Sequence, residues 1–98
     1  MRGIRVLAEA RLDALEAAAF YESHADGLGA EFLDILEQAL LSLVDTPRIG
    51  TPYDSDTRRL VLLRFPFALI YTVEAEVVVI LAVAHQRRHP DYWRGRTP

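Results

Sequence analysis

The sequence predicts an α+β fold: a short N-terminal strand, a helical hairpin, then a three-stranded antiparallel meander with the helices packed on the sheet. Three observations carry that prediction. Residues 30–44 repeat apolar side chains at helical spacing. From residue 57 onward the period falls to two, and β-branched and aromatic residues dominate. Between these regions "TPRIGTPYDSD" (46–56) is rich in Pro, Gly and Asp, a composition that turns the chain.

The elements follow in order. "GIRVL" (3–7) is a strand candidate with Ile4 and Val6 on one face. "AEARLDALEAAAFYES" (8–23) is rich in strong helix formers, and its Leu12, Leu15, Ala19 and Glu22 fall on one side, Leu and Ala being the core-like members of that stripe. "HADGLG" (24–29) supplies a turn. In the second helix Phe32, Ile35, Leu36, Ala39, Leu40 and Leu43 form the core stripe, which leaves Leu33, Leu41 and Val44 on the flank for a partner or for the first helix. Pro47 ends this helix at Thr46, because the residue before proline is pushed out of helical geometry.

The meander is read as "TRRLVLLRF", "FALIYTV" and "EVVVILAVA", divided by Pro66 and by "EAE" (74–76). The last strand is apolar on both faces and is expected inside the sheet. In an up-down-up meander the first and third strands run the same way. Arg64 is therefore expected beside His85, Arg87 and Arg88, with Arg58 and Arg59 roughly 20 Å away at ~3.3 Å per residue.

Whole-chain properties narrow the function. Its 98 residues make one domain, residues 1–98, with a core small enough that a homodimer or a hetero-oligomer stays open. A hydrophobic share of 51% with 26% charged residues is globular rather than disordered. The absence of Cys removes disulfides, thiolate metal sites and Cys nucleophiles. No run reaches the ~18–20 apolar residues of a membrane span, and the first twenty residues carry acids where a signal peptide needs an apolar core. A cytoplasmic location, no membrane and no cofactor are expected. His85 and His89 have metal-ligand spacing only on a helix, which Pro90 opposes, so no metal is expected either.

Charge is unevenly spread. Residues 1–57 hold four Arg against eleven acids, or −7; residues 58–98 hold seven Arg against three acids, or +4. The basic half ends in "AVAHQRRHPDYWRGR" (82–96), where Tyr92 and Trp93 are expected to pack the tail onto the sheet.

The element order, together with "FLDILEQALLSLVDTPRIGTPY", "RRLVLLRFPFALIYTV" and "VVVILAVAHQRRHPDYWRGR", resembles the RelE/ParE toxin superfamily of bacterial type II toxin-antitoxin systems over nearly the whole chain. The resemblance implies a compact toxin neutralised by a cognate antitoxin. It also implies one of two targets: DNA gyrase in the ParE-like branch, or messenger RNA in the ribosome in the RelE-like branch.

RelE-type cleavage needs a proton acceptor, cations for the charged phosphorane and a donor for the leaving oxygen. On this resemblance the nuclease set would be Arg59, Arg64, His85, Arg88 and Tyr92. Two basic positions of that branch fall on Val61 and Ala68. His85 or His89 could move the proton instead, since imidazole titrates near neutrality.

A ribosomal RNA ligand also favours a strongly basic protein, and this chain has pI ≈ 5.5. The ParE-like reading is therefore preferred, with Arg58, Arg59, Arg64, Arg87, Arg88 and Trp93 as partner-contact candidates. The alternatives are a ribosome-dependent endoribonuclease and a non-toxic antitoxin-binding module.

Overall fold

The computed structural model describes residues 3–54 and 56–98. Among these residues five strands form one mixed sheet: β1 (Gly3–Val6), β2 (Thr51–Asp54), β3 (Thr57–Val61), β4 (Phe67–Glu74) and β5 (Val77–His85). The spatial order is β1-β5-β4-β3-β2, with β1 parallel to β5 and all other pairs antiparallel. Helices α1 (Ala8–His24) and α2 (Leu28–Asp45) pack on one face, and a short α3 (Asp91–Arg94) follows β5. The α+β class, the helical hairpin and the meander stand as the sequence predicts.

Three local expectations change. The loop 46–56 contains strand β2, which pairs Thr51 with Arg59 and Pro52 with Arg58. Proline lacks an N–H to donate, so it is tolerated here because β2 is the sheet edge. Next, β3 stops at Val61, and residues 62–66 make an irregular turn in which Arg64 takes φ +69°. Finally, α1 buries the opposite stripe from the one its Leu residues suggest. Ala10, Ala14, Ala17 and Ala18 are inside, whereas Leu12 and Leu15 are 57% and 55% exposed. Alanine-sized side chains let α1 lie close to both α2 and β5, and larger ones on that face would hold it off.

The hairpin shows the same economy of space. A Cβ on Gly29 would stand 2.6 Å from the Ala18 carbonyl oxygen, closer than any real side chain sits, so the helices cross at a glycine. Glu22, expected on the α1 stripe, instead accepts the backbone N–H groups of Gly27 and Gly29 at 2.9 and 3.0 Å. These are unpaired donors at the start of α2, where a carboxylate also opposes the positive helix end.

Between the helices and the sheet, fully buried Phe32 of α2 meets Tyr21, Phe65 and Phe67 with ring centroids 5.2–5.4 Å apart. Leu36, Leu43, Leu69 and Ile80 continue this core. Leu33 and Leu41, expected on the flank of α2, are exposed, and Val44 is half-buried. β5 is interior, flanked by β1 and β4. Leu81 stands as an extra residue where pairing shifts between Ile70↔Ala82 and Tyr71↔Ile80. No helix among the described residues is long and apolar enough to cross a membrane.

Candidate functional site

Strand register decides which basic residues meet. Arg59 pairs with Ile70, and Ile70 with Ala82; Val61 pairs with Ala68, and Ala68 with Ala84. Side chains alternate along each strand, so Arg59, Val61, Ala68, Ile70 and Ala84 share the face turned away from α1 and α2. On that face Arg59, Arg88, Tyr53 and Trp93 line a shallow depression of about 180 Å³, with His85 and Gln86 at its β5 end and Ala68 and Ala84 in its floor.

This grouping reverses the sequence expectation. Arg59 joins the β5 end, while Arg64 is drawn to the helix side, where its guanidinium pairs with Glu31 at 2.9 Å and lies over Phe65. The cause is the early end of β3: Arg64 belongs to the turn rather than to the strand.

Arg58 points to neither group. Its Nη1 donates to the carbonyls of Arg48 and Gly50 at 3.1 and 2.7 Å, which pins the segment entering β2. The Tyr71 hydroxyl accepts the Gly50 N–H at 2.9 Å in the same place, and a Cβ on Gly50 would lie 2.7 Å from that oxygen. Arg87 is exposed beyond β5, where its backbone N–H donates to Nδ1 of His85. Nδ1 of His89 likewise accepts the Asp91 N–H, and the ring lies 3.4 Å from the Asp91 carboxylate.

Trp93 is only 4% exposed, so it contributes as a wall of the depression rather than as an open contact surface. Its ring stands 5.9 Å from Tyr53. Arg94 pairs with Asp91 and Asp54, tying α3 to β2. Among the described residues Arg59 and Arg88 make no ion pair. Arg59 lies over the Tyr53 ring at 5.7 Å, and Arg88 over the Tyr92 ring at 3.7 Å.

The tail is held by a contact between residues that the sequence pattern does not connect. β1 ends at Val6 opposite Ile80, so among the described residues no strand lies beside the edge of β5 beyond that point. Side chains take the missing place. Asp13 of α1 accepts the Val83 N–H at 3.1 Å, Arg96 donates to the Leu81 carbonyl at 2.9 Å, and the Tyr92 hydroxyl reaches the Val83 carbonyl at 3.4 Å. Arg96 and Asp13 are themselves joined at 2.7 and 3.2 Å, with side chains only 14% and 9% exposed.

The one advance sign in the sequence is the alanine spacing at 10, 14, 17 and 18. It marks the close-packed face, and Asp13 borders that face.

The chain matches the model for the ParE toxin of type II toxin-antitoxin systems, parDE, over residues 4–90. This chain belongs to the ParE toxin family. Membership implies a cognate ParD antitoxin. In fold it is similar to a chain of the chromosomal ParDE system from P. aeruginosa, at 19% identity and a TM-score of 0.66, covering 87% of this chain and 96% of that one. No curated protein sequence matches it.

Within this ParE-family chain the Tyr92 phenol is held in its protonated form. Burial, reinforced by Asp13 and opposed by Arg96 and Arg88, pushes its pKa up to about 12. Below pH 10 the phenol is protonated whether the chain is folded or unfolded. Between pH 10 and about 12 the unfolded chain ionises first and is favoured. Stability in urea is expected to fall across that window in the wild type, and to fall less in Tyr92→Phe.

Proposed function

We propose that this ParE-family chain is a cytoplasmic toxin that binds and inhibits DNA gyrase, and that its antitoxin neutralises it at the basic end of the sheet. The observation that carries the choice of target is the Val61–Ala68 cross-strand pair. By the superfamily resemblance these are the two positions where a RelE-like nuclease has cations. Here they are direct cross-strand partners, with Ala68 in the floor of the depression, so the gap is one apolar pair rather than two scattered losses.

The proton inventory supports the same reading. Tyr92 holds its proton up to about pH 12, and His85 has Nδ1 engaged by the Arg87 N–H. Arg59 and Arg88 are suited to holding an acidic partner group without transferring a proton. The net charge of −3 is also better suited to a protein target than to ribosomal RNA. A cognate antitoxin agrees with the similarity in fold to a chain of the P. aeruginosa ParDE system.

Induction of the chain without an antitoxin is expected to arrest growth, with filamentation and DNA damage and with messages left intact. Purified protein is expected to inhibit gyrase supercoiling. Codon-phased cuts in messages during induction would overturn the gyrase reading in favour of the nuclease. Absence of arrest would point to the non-toxic antitoxin-binding module.

A further inference from the structure

We infer that the depression on the open sheet face is a socket for one carboxylate side chain of a protein partner, gripped by Arg59 and Arg88. The inference rests on the reading of this sheet end as a protein-binding site and deepens it by naming the group that is bound.

Most other guanidiniums of the basic half are already committed: Arg58 to two carbonyls, Arg64 to Glu31, Arg94 to Asp91 and Asp54, and Arg96 to Asp13. Arg59 and Arg88 are the two that line one hollow with no carboxylate or carbonyl partner among the described residues. A guanidinium presents donors in a fixed plane that matches a carboxylate edge, and two guanidinium-bearing residues line this one hollow.

Size and lining choose the occupant. A hollow of about 180 Å³ is smaller than an ordinary small-ligand cavity of ~300–1,000 Å³ and has room for a single side chain. Ala68 and Ala84 form an apolar floor, and Tyr53 and Trp93 form aromatic walls, a setting suited to the methylene stem of Glu or Asp below its charged head. A polynucleotide would carry many more charges past the acidic N-terminal half, whose net charge is −7 over residues 1–57. One acid on a folded or folding partner meets the two cations without that repulsion.

Trp93 is the only Trp in the chain and lies in the wall, so its fluorescence reports the hollow directly. The probes are capped hexaglutamate, capped hexaglutamine, inorganic phosphate and a thymidine hexanucleotide. Hexaglutamate is expected to change Trp93 emission saturably, and hexaglutamine to leave it unchanged. Arg59→Gln and Arg88→Gln are each expected to weaken hexaglutamate binding about tenfold or more. Arg11→Gln, which removes the same charge from the far side of the protein on α1, is expected to bind as the wild type does. Urea unfolding of each variant shows that it is folded.

No response to hexaglutamate, or an equal response in folded Arg59→Gln, would sink the socket. Tighter binding of the hexanucleotide or of phosphate than of hexaglutamate would overturn the carboxylate assignment. Growth arrest on induction is read separately. Arrest without peptide binding removes this inference alone, and peptide binding without arrest removes the toxin reading alone.

Discussion

Arg96→Ala is expected to destabilise the fold by about 2–4 kcal/mol, toward the low end of the ~3–5 kcal/mol lost when one partner leaves a fully buried ion pair, because this pair is part-buried. The guanidinium does two jobs at once. It neutralises Asp13, whose side chain is 9% exposed, and it caps the Leu81 carbonyl on a strand edge that no other strand among the described residues covers. Its loss leaves a charge and a carbonyl in a region that water reaches poorly. Asp13→Ala is expected to cost a similar amount, because the Val83 N–H loses its acceptor as well.

The double variant is expected to be far less damaging than the sum of the two, since most of each single cost is the charge left behind. Urea midpoints of the four proteins measure this directly. Additive costs would show that the pair is not the unit holding the tail.

The second large effect is expected at Phe32. Truncation to Ala should destabilise by about 3–5 kcal/mol, combining lost burial with the cavity left among neighbours that collapse only in part. Phe32 is 0% exposed, and its ring meets Tyr21 and two aromatic residues on either side of Pro66. The change therefore loosens α2 from the β3–β4 turn, not only from α1. A domain of this size has a total stability of roughly 5–15 kcal/mol, so the variant should unfold at a much lower urea concentration. Phe32→Leu, which keeps most of the volume, is expected to cost less than half as much. A midpoint for Phe32→Ala close to the wild type would show that the aromatic cluster is not the centre of the core.

Both residues show what pattern can and cannot deliver. Phe32 is legible because α2 has one apolar face, and a helix with one such face has only one way to bury it. Helix α1 has no single apolar face: its Leu and Ala residues are spread around it among Glu9, Arg11, Asp13, Glu16 and Glu22. Leu12 and Leu15 look like the natural core stripe by side-chain size, yet the sheet and α2 select the alanines because only they permit the close approach. Arg96 and Asp13 look like two surface charges 83 residues apart. Nothing local to either distinguishes a solvated charge from one buried by the return of the chain.

The candidate site divides in the same way. Composition marks the basic half, and the apolar residues at positions 61 and 68 are readable one by one. The strand-like pattern "TRRLVLLRF" runs unbroken to Phe65, which sets Arg59 apart from His85 and Arg88 and groups Arg64 with them. The end of β3 at Val61 moves Arg64 off the strand, while the register Arg59↔Ile70↔Ala82 and the fold of α3 bring Arg59 to Trp93 and Arg88.

The sequence by itself determined the class of fold, the order of its main elements, the α2 core stripe and the sign of charge in each half, because these depend on local periodicity and composition. Tertiary structure alone decided which face of α1 is buried, which arginines remain free and what closes the edge of β5, because each depends on groups far apart in the chain competing for one space.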